Sequence, residues 1–587
     1  MTVTELSGPN ESQISFDLTH RPWIGVLRTD GTQCELSLRQ VFADAAEVRC
    51  LVGDLPTQEF ALMRLLLAIA HDALDGPRDI GHWGDLYGDP GCFGPVAAYL
   101  DAHRERFDLL HPQTPFFQTA GLRTAKDEVF ALNRIVADVP NGEPFFTARM
   151  PAVERIGFAE AARWVVHAHA YDTSGIKTGA VGDDRVKGGK VYPLGTGWAG
   201  GLGGILVEGG TLRETLLLNL VAADTDGLDI ADGDRPAWRR EACGGGSTPR
   251  SATGPRDLYT WQSRRLRLHH DGAHVRGVVL GYGDPLPSRN MHPREPLTAW
   301  RRSKAQEKKL GQSPVYLPRE HDPSRSAWRG LEALVADRAE LAQGQEAAAY
   351  LRPGVLEWIA RLVSEGLLHR NYLVRARVVG AVYGTQQSVI DDIVEDRLAL
   401  PVVLLHRQDR TYARQAIGAA EDADRAVRAV GDLAADLARA AGSEQDGPQA
   451  AARHTGFDVL EEPYRLWLAA MAEMADPFAH RQAWQREVRH LMARLGDRLI
   501  EAAGDAAWRG RTVADKKGTL WLSAGLADTW FRGRLARALG DAAAPGGTAV
   551  PADGTHPAGS PLPRPRDAAA GPPATAASDS CDTKVRV

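Results

Sequence analysis

The sequence predicts an α+β protein with a large mixed N-terminal domain, a C-terminal four-helix bundle and a disordered tail. Three observations lead to this prediction. Short strand and helix patterns separated by long loops fill residues 1–400, Ala, Leu, Arg and Asp dominate residues 401–540, and Pro, Ala, Gly and Ser dominate residues 541–587. Amphipathic stretches joined by short connections are typical of helix bundles. A tail with few large apolar residues cannot form a hydrophobic core.

The N-terminal domain begins with a hairpin pattern. Residues 16–41 predict two short strands around the turn Thr29-Asp30-Gly31, followed by the start of a helix. Gln58 to Leu74 carries apolar residues on nearly all sides, which is typical of a buried helix. Further elements are expected as a helix at Thr211 to Val221 and strands at Leu266 to His270 and Val275 to Tyr282. The segments 142–210 and 284–322 are expected to be irregular, and short apolar segments such as Arg163 to Ala170 are expected to interrupt the long loops of the first segment.

The C-terminal domain is predicted to be helical because glycine and β-branched residues become rare after Val402. The amphipathic stretches that we expect to form the bundle are Thr411 to Ala441, Asp458 to Ala475, Ala479 to Ala503 and Leu520 to Leu539.

Composition restricts the possible functions. The 587 residues carry a formal net charge of −6, so contact with a nucleic acid has to come from local basic patches. The five cysteines are scattered without a CxxC pair, which favours a reducing compartment over a disulfide framework or a zinc ribbon. The N-terminal residues resemble no secretory signal, and the longest apolar runs are too short to cross a bilayer. We therefore expect a cytoplasmic protein with no membrane partner.

Catalytic signatures are missing from the sequence. It contains no GxSxG, HExxH or GxxxxGK[ST] pattern, and no cofactor is predicted. His167 and His169 lie two residues apart and would point to different sides of a helix, without Cys or acidic partners at ligand spacing. No metal site is predicted.

The stretch Ser174 to Gly204 is rich in glycine and allows three interpretations. It is typical of a flexible surface loop. Glycines also let a backbone approach a phosphate or a groove closely, with Lys177, Lys187 and Lys190 supplying charge. A nucleotide-dependent or hydrolytic enzyme with its active site in this stretch is the third interpretation, although the pattern lacks a placed strand, helix and ribose-binding acid.

Two further segments combine basic residues with groups that can contact DNA. Thr298 to Gly311 carries Arg301, Arg302 and Lys304 beside Trp300, in a region interrupted by prolines. His369 to Asp392 places three arginines ahead of the turn Gly384-Thr385-Gln386-Gln387-Ser388. Such residues are either a solvated surface or contacts to phosphates and base edges.

Taken together, these segments resemble the CasA family, the large subunit of the type I-E CRISPR Cascade complex. The similarity follows the order of the chain almost to the tail. Its motifs are FDLTHRPWIGVLRTDG at the start, FDLLHPQTPFFQT at Phe107 to Thr119, and LRETLLLNLV at Leu212 to Val221.

The resemblance implies a non-catalytic subunit that recognises the protospacer-adjacent motif of double-stranded DNA from the minor groove and starts strand separation. It implies that Gln387, with Gln386 beside it, inserts into the duplex as a wedge, since TQQSVI matches the family's turn. The implied glycine loop includes Gly175, Lys177, Thr178 and Gly179, in a register left open by extra residues before Trp198. The resemblance also implies a basic finger, a positively charged side chain that contacts the motif in the minor groove, and this is one of Arg301, Arg302 and Lys304.

The family also implies partners. A loop at Glu143 to Ala148, with Phe145, Phe146 and Thr147, is expected to contact the guide crRNA and the adjoining backbone subunit. The bundle is expected to rest on the small-subunit dimer, and the large domain to recruit the helicase-nuclease. The zinc site of some relatives is not implied, because only Cys243 lies in the corresponding region. A scaffold without DNA contacts remains a further alternative.

Overall fold

The computed structural model describes residues 14–137, 153–336, 347–407, 409–515 and 518–540. The first described elements form a small antiparallel sheet and a helix. The first elements are β1 (Ile24–Arg28), β2 (Gln33–Leu36), α1 (Leu38–Ala43) and β3 (Val48–Leu51). The strand order is β2-β1-β3, and Ser37 caps α1 by accepting a hydrogen bond from the Gln40 backbone N–H. The hairpin and helix start predicted for residues 16–41 are thus present.

The next part of the chain is mainly helical. They are α2 (Pro56–Ala73), α3 (Ile80–Gly88), α4 (Gly94–Ala102) and α5 (Phe158–Tyr171). Helix α2 is buried on nearly all sides, as its sequence predicts, and packs on α5. The expectation that only a short apolar segment, Arg163 to Ala170, interrupts long loops here is wrong, because this segment lies within the 14-residue helix α5, which contains no glycine and buries Trp164 and Val165. The high glycine content around it concealed this helix.

The glycine-rich stretch and the segment after it contain short elements. They are β4 (Lys177–Thr178), β5 (Lys190–Val191), β6 (Gly204–Glu208), α6 (Leu212–Asn219) and α7 (Pro255–Tyr259). The hairpin of β4 and β5 gives order to part of the segment that was expected to be irregular.

The middle of the chain adds two small sheets. Its elements are β7 (Arg264–His270), β8 (Val275–Tyr282), β9 (Trp300–Arg302), α8 (Lys304–Leu310), β10 (Tyr316–Pro318), α9 (Leu331–Val335), β11 (Tyr350–Leu351) and α10 (Gly354–Ser364). The predicted hairpin at Asp271-Gly272 is formed by β7 and β8. Strand β9 lies between β10 and β11, so the segment 284–322 is more ordered than its proline content suggests.

The longest strands are β12 (Leu373–Tyr383) and β13 (Ile390–Pro401). They pair antiparallel along their whole length, and β6 pairs with the other edge of β12. Their hairpin carries the turn Thr385–Gln387 at its tip.

The C-terminal part is a bundle built on α11 (Thr411–Ala441), α12 (Asp446–Ala470), α13 (Pro477–Glu501) and α15 (Ala524–Leu539). Between the last two helices lie α14 (Asp505–Arg509), β14 (Arg511–Asp515) and β15 (Gly518–Leu522). The predicted helix at Leu520 is wrong at its start, since Leu520 pairs with Val513 in a hairpin and Ser523 caps α15. The predicted start of the second helix at Asp458 is also late, because α12 begins at Asp446.

The buried apolar side chains form a nearly continuous core from Leu18 to Leu539. At the joint between the sheets and the bundle, the Trp328 ring stacks on Tyr464 with 4.3 Å between ring centroids. The Trp328 indole N–H donates to the Glu461 carboxylate at 2.7 Å. The α+β class and the helical C-terminal part are confirmed, whereas a domain boundary at residue 400 remains a prediction and the tail at 541–587 lies outside the described residues.

Candidate nucleic-acid interface

The glutamine turn projects from the tip of the β12–β13 hairpin. Gln386 has φ 57° and ψ 19°, and Gln387 has φ 56°. Both side chains are exposed. Two consecutive non-glycine residues in the left-handed region cost about 1–3 kcal/mol each, and the long antiparallel ladder holds them there. The turn therefore presents two amide side chains to the outside in a strained, fixed conformation.

The start of the glycine loop is hydrogen-bonded to this turn. The Ser174 backbone N–H donates to the Gln387 carbonyl at 2.7 Å. A Cβ added to Gly175 would lie 3.8 Å from the Ser388 carbonyl oxygen, so the two backbones run side by side. The structure thus brings together the predicted loop and the predicted wedge, which lie more than two hundred residues apart in the sequence.

The predicted loop is a hairpin, with Lys177 paired to Val191 and Thr178 to Lys190. The Gly179 N–H donates to the Gly189 carbonyl at 2.9 Å. A Cβ on Gly179 would lie 2.6 Å from the Val186 side chain, which explains the glycine at this position. The loop follows α5 rather than a strand, and only a short 3-10 turn (Trp198–Gly201) separates it from β6, so it lacks the strand-loop-helix arrangement of a dinucleotide site.

Arg264 connects both ends of the loop. Its side chain is 2% exposed, and its Nη2 group donates to the carbonyls of Thr173 at 3.0 Å and of Gly195 at 3.1 Å. The same guanidinium is paired with the carboxylate of Asp172. Tyr282 adds a hydrogen bond from its hydroxyl to the Gly175 carbonyl at 2.8 Å. These contacts hold the two ends of the loop together beside the glutamine turn.

The ammonium group of Lys177 forms an ion pair inside the protein. Its Nζ lies 2.8 Å from the Asp172 carboxylate, and its side chain is only 9% exposed. Burial raises the pKa of Asp172, but the charges of Lys177 and Arg264 outweigh it and hold that pKa below its usual value. Burial lowers the pKa of Lys177 more than Asp172 raises it. Of the four predicted loop residues, Lys177 is therefore placed as an anchor rather than as a free surface cation.

Thr178 is also engaged, because its hydroxyl accepts a hydrogen bond from Arg134 Nη1 at 2.8 Å. Other lysines are exposed. Those on the glycine hairpin are Lys187 and Lys190, and those on α8 are Lys304, Lys308 and Lys309.

The three candidates for the basic finger differ in their surroundings. Arg302 forms a bidentate ion pair with Glu307 at 2.6 and 3.0 Å, and the hydrogen bonds from Arg302 lower the pKa of Glu307 to about 2. Lys304 begins α8 and is exposed. Arg301 is exposed on β9, and its guanidinium forms no hydrogen bond or ion pair with the residues that the structure describes, although the carboxylate of Glu320 lies near enough to feel its charge. Arg301 is therefore the arginine of β9 that is not held in an ion pair and whose charge is available to a ligand.

A cleft of about 260 Å³ joins the finger to the wedge. Arg301 and Gln387 both line it, together with Gly195, Trp198 and Glu320. The Trp198 indole N–H donates to the buried Glu295 carboxylate at 2.8 Å, and Glu295 is ion-paired with Arg64 of α2. The wall of the cleft is thus fixed to the central buried helix.

Sequence reasoning missed two residues of this site. Arg264 occurs in an ordinary strand pattern, and Glu320 in a proline-rich segment that was expected to be irregular. Neither position has a local signal, because each acquires its role from contacts with distant parts of the chain.

Other expectations concern regions away from the cleft. The predicted RNA contacts Phe145, Phe146 and Thr147 lie outside the described residues. His167 and His169 are buried, and each has a protein hydrogen-bond partner. Within the described ranges, no group of His, Cys, Asp and Glu is arranged to hold a metal ion, and no helix is both long and apolar enough to cross a membrane.

Comparison with known proteins identifies the family. The family described as CRISPR-associated protein Cse1 matches residues 17–495. The chain belongs to the Cse1 family. A CRISPR-associated protein CasA/Cse1 from Thermus thermophilus is 29% identical over 446 residues, which cover 73% of this chain and 79% of that protein. The sequence-based resemblance to the family of the type I-E Cascade large subunit is thus confirmed.

Solved structures of the Cse1 family share the fold. The crystal structure of Thermobifida fusca Cse1 is similar with a TM-score of 0.82 and 55% identity, covering 89% of this chain and 98% of that one. A chain from a CRISPR RNA-guided surveillance complex is similar with a TM-score of 0.54 and 20% identity, covering 83% of this chain and 98% of that one. This last likeness shows the fold alone.

Proposed function

We propose that this chain recognises the protospacer-adjacent motif of double-stranded DNA from the minor groove and begins to separate the strands beside it. It does so as a non-catalytic subunit of an RNA-guided surveillance complex. Membership of the Cse1 family supports this proposal.

The observation that carries the proposal is the exposed turn of Gln386 and Gln387. A rigid turn with amide side chains can enter a base stack and replace base-edge hydrogen bonds that are lost there. Proteins that insert side chains between base steps offset an unstacking cost of about a few kcal/mol per step, because the bent duplex then touches more of the protein surface. The fixed left-handed backbone reduces the entropy that this turn loses on insertion.

Arg301 is the proposed finger. The minor groove offers the acceptors N3 of adenine and O2 of thymine, to which a guanidinium can donate. Arg301 lines the same cleft as Gln387, so both can contact one short stretch of duplex. The glycine loop contributes a close backbone approach at Gly175, while Lys177, Thr178 and Gly179 hold its shape.

The remaining roles follow from RNA-guided recognition, in which base pairing reads the sequence and the protein reads a short motif. The partners in this proposal are the guide crRNA, the backbone subunits, the small-subunit dimer beneath the bundle and the helicase-nuclease that degrades the target. The negative formal charge of the chain fits a subunit that contacts DNA over a limited surface.

The test is a gel-shift titration of the surveillance complex reconstituted without this chain and then with it. Duplexes with and without a functional motif are compared for wild type, Gln387→Ala and Arg301→Ala. Wild type should restore motif-dependent binding, and each variant should lose about tenfold in affinity for the motif duplex, equivalent to about 1.4 kcal/mol.

Gln33→Ala is the matched control, since Gln33 is an exposed glutamine on β2 that lines neither the cleft nor the turn. It should behave as wild type. If addition of the wild-type chain leaves binding unchanged, or if Gln387→Ala and Arg301→Ala match Gln33→Ala, the proposal is wrong.

A further inference from the structure

An acidic side chain lies in the cleft between the finger and the wedge. Glu320 lines this cleft together with Arg301 and Gln387. It follows β10 closely, and the adjacent Arg319 N–H donates to the Ala299 carbonyl at 2.8 Å, which fixes the backbone here. A carboxylate facing DNA repels the phosphates, so its presence there costs binding energy unless a donor contacts it.

Glu320 has no such donor within the described part of the protein, where no hydrogen bond or ion pair is formed by its carboxylate. Burial raises its pKa more than the nearby positive charge of Arg301 lowers it. The two side chains therefore influence each other across the cleft without a direct contact. Carboxylate oxygens that stay unpaired on a ligand-facing wall are suited to accept hydrogen bonds from a ligand.

The minor groove offers one kind of donor. Adenine and thymine present only acceptors there, while guanine adds its exocyclic 2-amino group. Arg301 and Glu320 thus form a complementary pair, in which the arginine suits the acceptors and the glutamate suits the amino group. Such an arrangement distinguishes a G·C pair from an A·T pair at one position of a short motif.

We propose that Glu320 is a specificity-determining residue that accepts a hydrogen bond from the 2-amino group of a guanine in the motif. This inference rests on the proposed function, because it requires the cleft to face the minor groove. It predicts that at least one position of the preferred motif is read through the presence of that amino group.

The experiment uses the reconstituted complex and duplexes in which each motif guanine is replaced in turn by inosine, which lacks the 2-amino group. For the wild-type chain, inosine at one position should weaken binding about tenfold, the loss expected from one hydrogen bond to a charged group of roughly 1.5 kcal/mol. In Glu320→Ala this penalty should disappear, so guanine and inosine duplexes bind equally.

Asp392→Ala is the matched control. Asp392 is exposed on β13 close to the glutamine turn, and its replacement removes one negative charge without changing the cleft. It should keep the wild-type inosine penalty. Glu320→Gln keeps an acceptor oxygen and should retain part of the penalty.

Three results would overturn the inference while leaving the proposed function intact. The wild type could be insensitive to inosine at every position, Glu320→Ala could retain the full penalty, or Glu320→Ala could strengthen binding to all duplexes equally, as expected for a merely repulsive charge. If the wild-type chain shows no motif dependence at all, the proposed function itself fails.

Discussion

At the scale of single residues, buried ion pairs determine which charges remain for ligands. Lys177, Arg302 and Arg264 are all basic, yet each is paired with an internal carboxylate. Arg301 and Gln387 remain exposed beside the cleft. A sequence pattern reveals the type and spacing of such residues but not their partners, because Asp172 and Glu307 are ordinary acids in the sequence. The turn glutamines were singled out by the family resemblance, and their exposure agrees with a position on a turn.

Arg264 should act as a positioning residue for the glycine loop. In Arg264→Lys, a single ammonium cannot reach Asp172, Thr173 and Gly195 together, because it lacks the planar fork of the guanidinium. We expect the free energy of unfolding to fall by about 1–3 kcal/mol. The ratio of affinities for duplexes with and without the motif should also fall, as measured by gel shift beside chemical unfolding.

Arg352→Lys provides the control for this prediction. Arg352 is equally buried, pairs with Glu357 at 2.6 Å and donates to the Leu405 carbonyl at 2.7 Å, away from the cleft. It should lose similar stability while the affinity ratio stays at the wild-type value. An unchanged ratio in Arg264→Lys would show that Arg264 only stabilises the fold.

At the scale of elements, hydrophobic periodicity predicted the long helices correctly. The prediction failed where a regular element lies within a region whose overall composition is typical of loops. Helices α2 and α11 were predicted because their apolar spacing is uninterrupted. Helix α5 was missed inside a glycine-rich region. The last residues of β15, Leu520 to Leu522, were assigned to the start of a helix, because they directly precede the helical pattern of α15. Short apolar runs are ambiguous until pairing with a distant strand decides between strand and helix.

The bundle helices are joined by a polar contact as well as by apolar packing. Asp422 of α11 is fully buried and accepts hydrogen bonds from Arg481 and Gln485 of α13 at 2.8 and 2.9 Å. In Asp422→Ala these two donors, and Arg425 of the same helix, lose this acceptor. Because Arg481 is partly exposed, we expect a loss of about 2 kcal/mol in the free energy of unfolding, less than for a fully buried pair.

Asp424→Ala is the matched surface substitution on the same helix. Asp424 forms a solvent-exposed pair with Arg428 and a long one, at 3.9 Å, with Arg329, and its loss should cost less than about 0.5 kcal/mol. Urea unfolding of the full chain, followed by circular dichroism, measures both. Equal effects of the two substitutions would contradict the structural role of Asp422.

At the scale of the whole molecule, a nearly continuous core links the sheets to the bundle. The predicted α+β class followed from composition, but the assembly of the cleft did not. Gly195, Arg301, Glu320 and Gln387 lie in four separate segments of the sequence and meet only in the folded protein. Contacts across such sequence distances have no signature in one sequence. The family resemblance located the glutamine turn, and the structure added its neighbours.

The central claim is that the Gln387 turn opens the duplex next to the motif. The most direct measurement is the fluorescence of 2-aminopurine placed in the first base pair beside the motif, recorded at saturating concentrations of the reconstituted complex. The wild-type chain should increase the fluorescence as the base unstacks, while Gln387→Ala should bind the duplex without this increase. Equal increases for both chains at equal occupancy would contradict the claim.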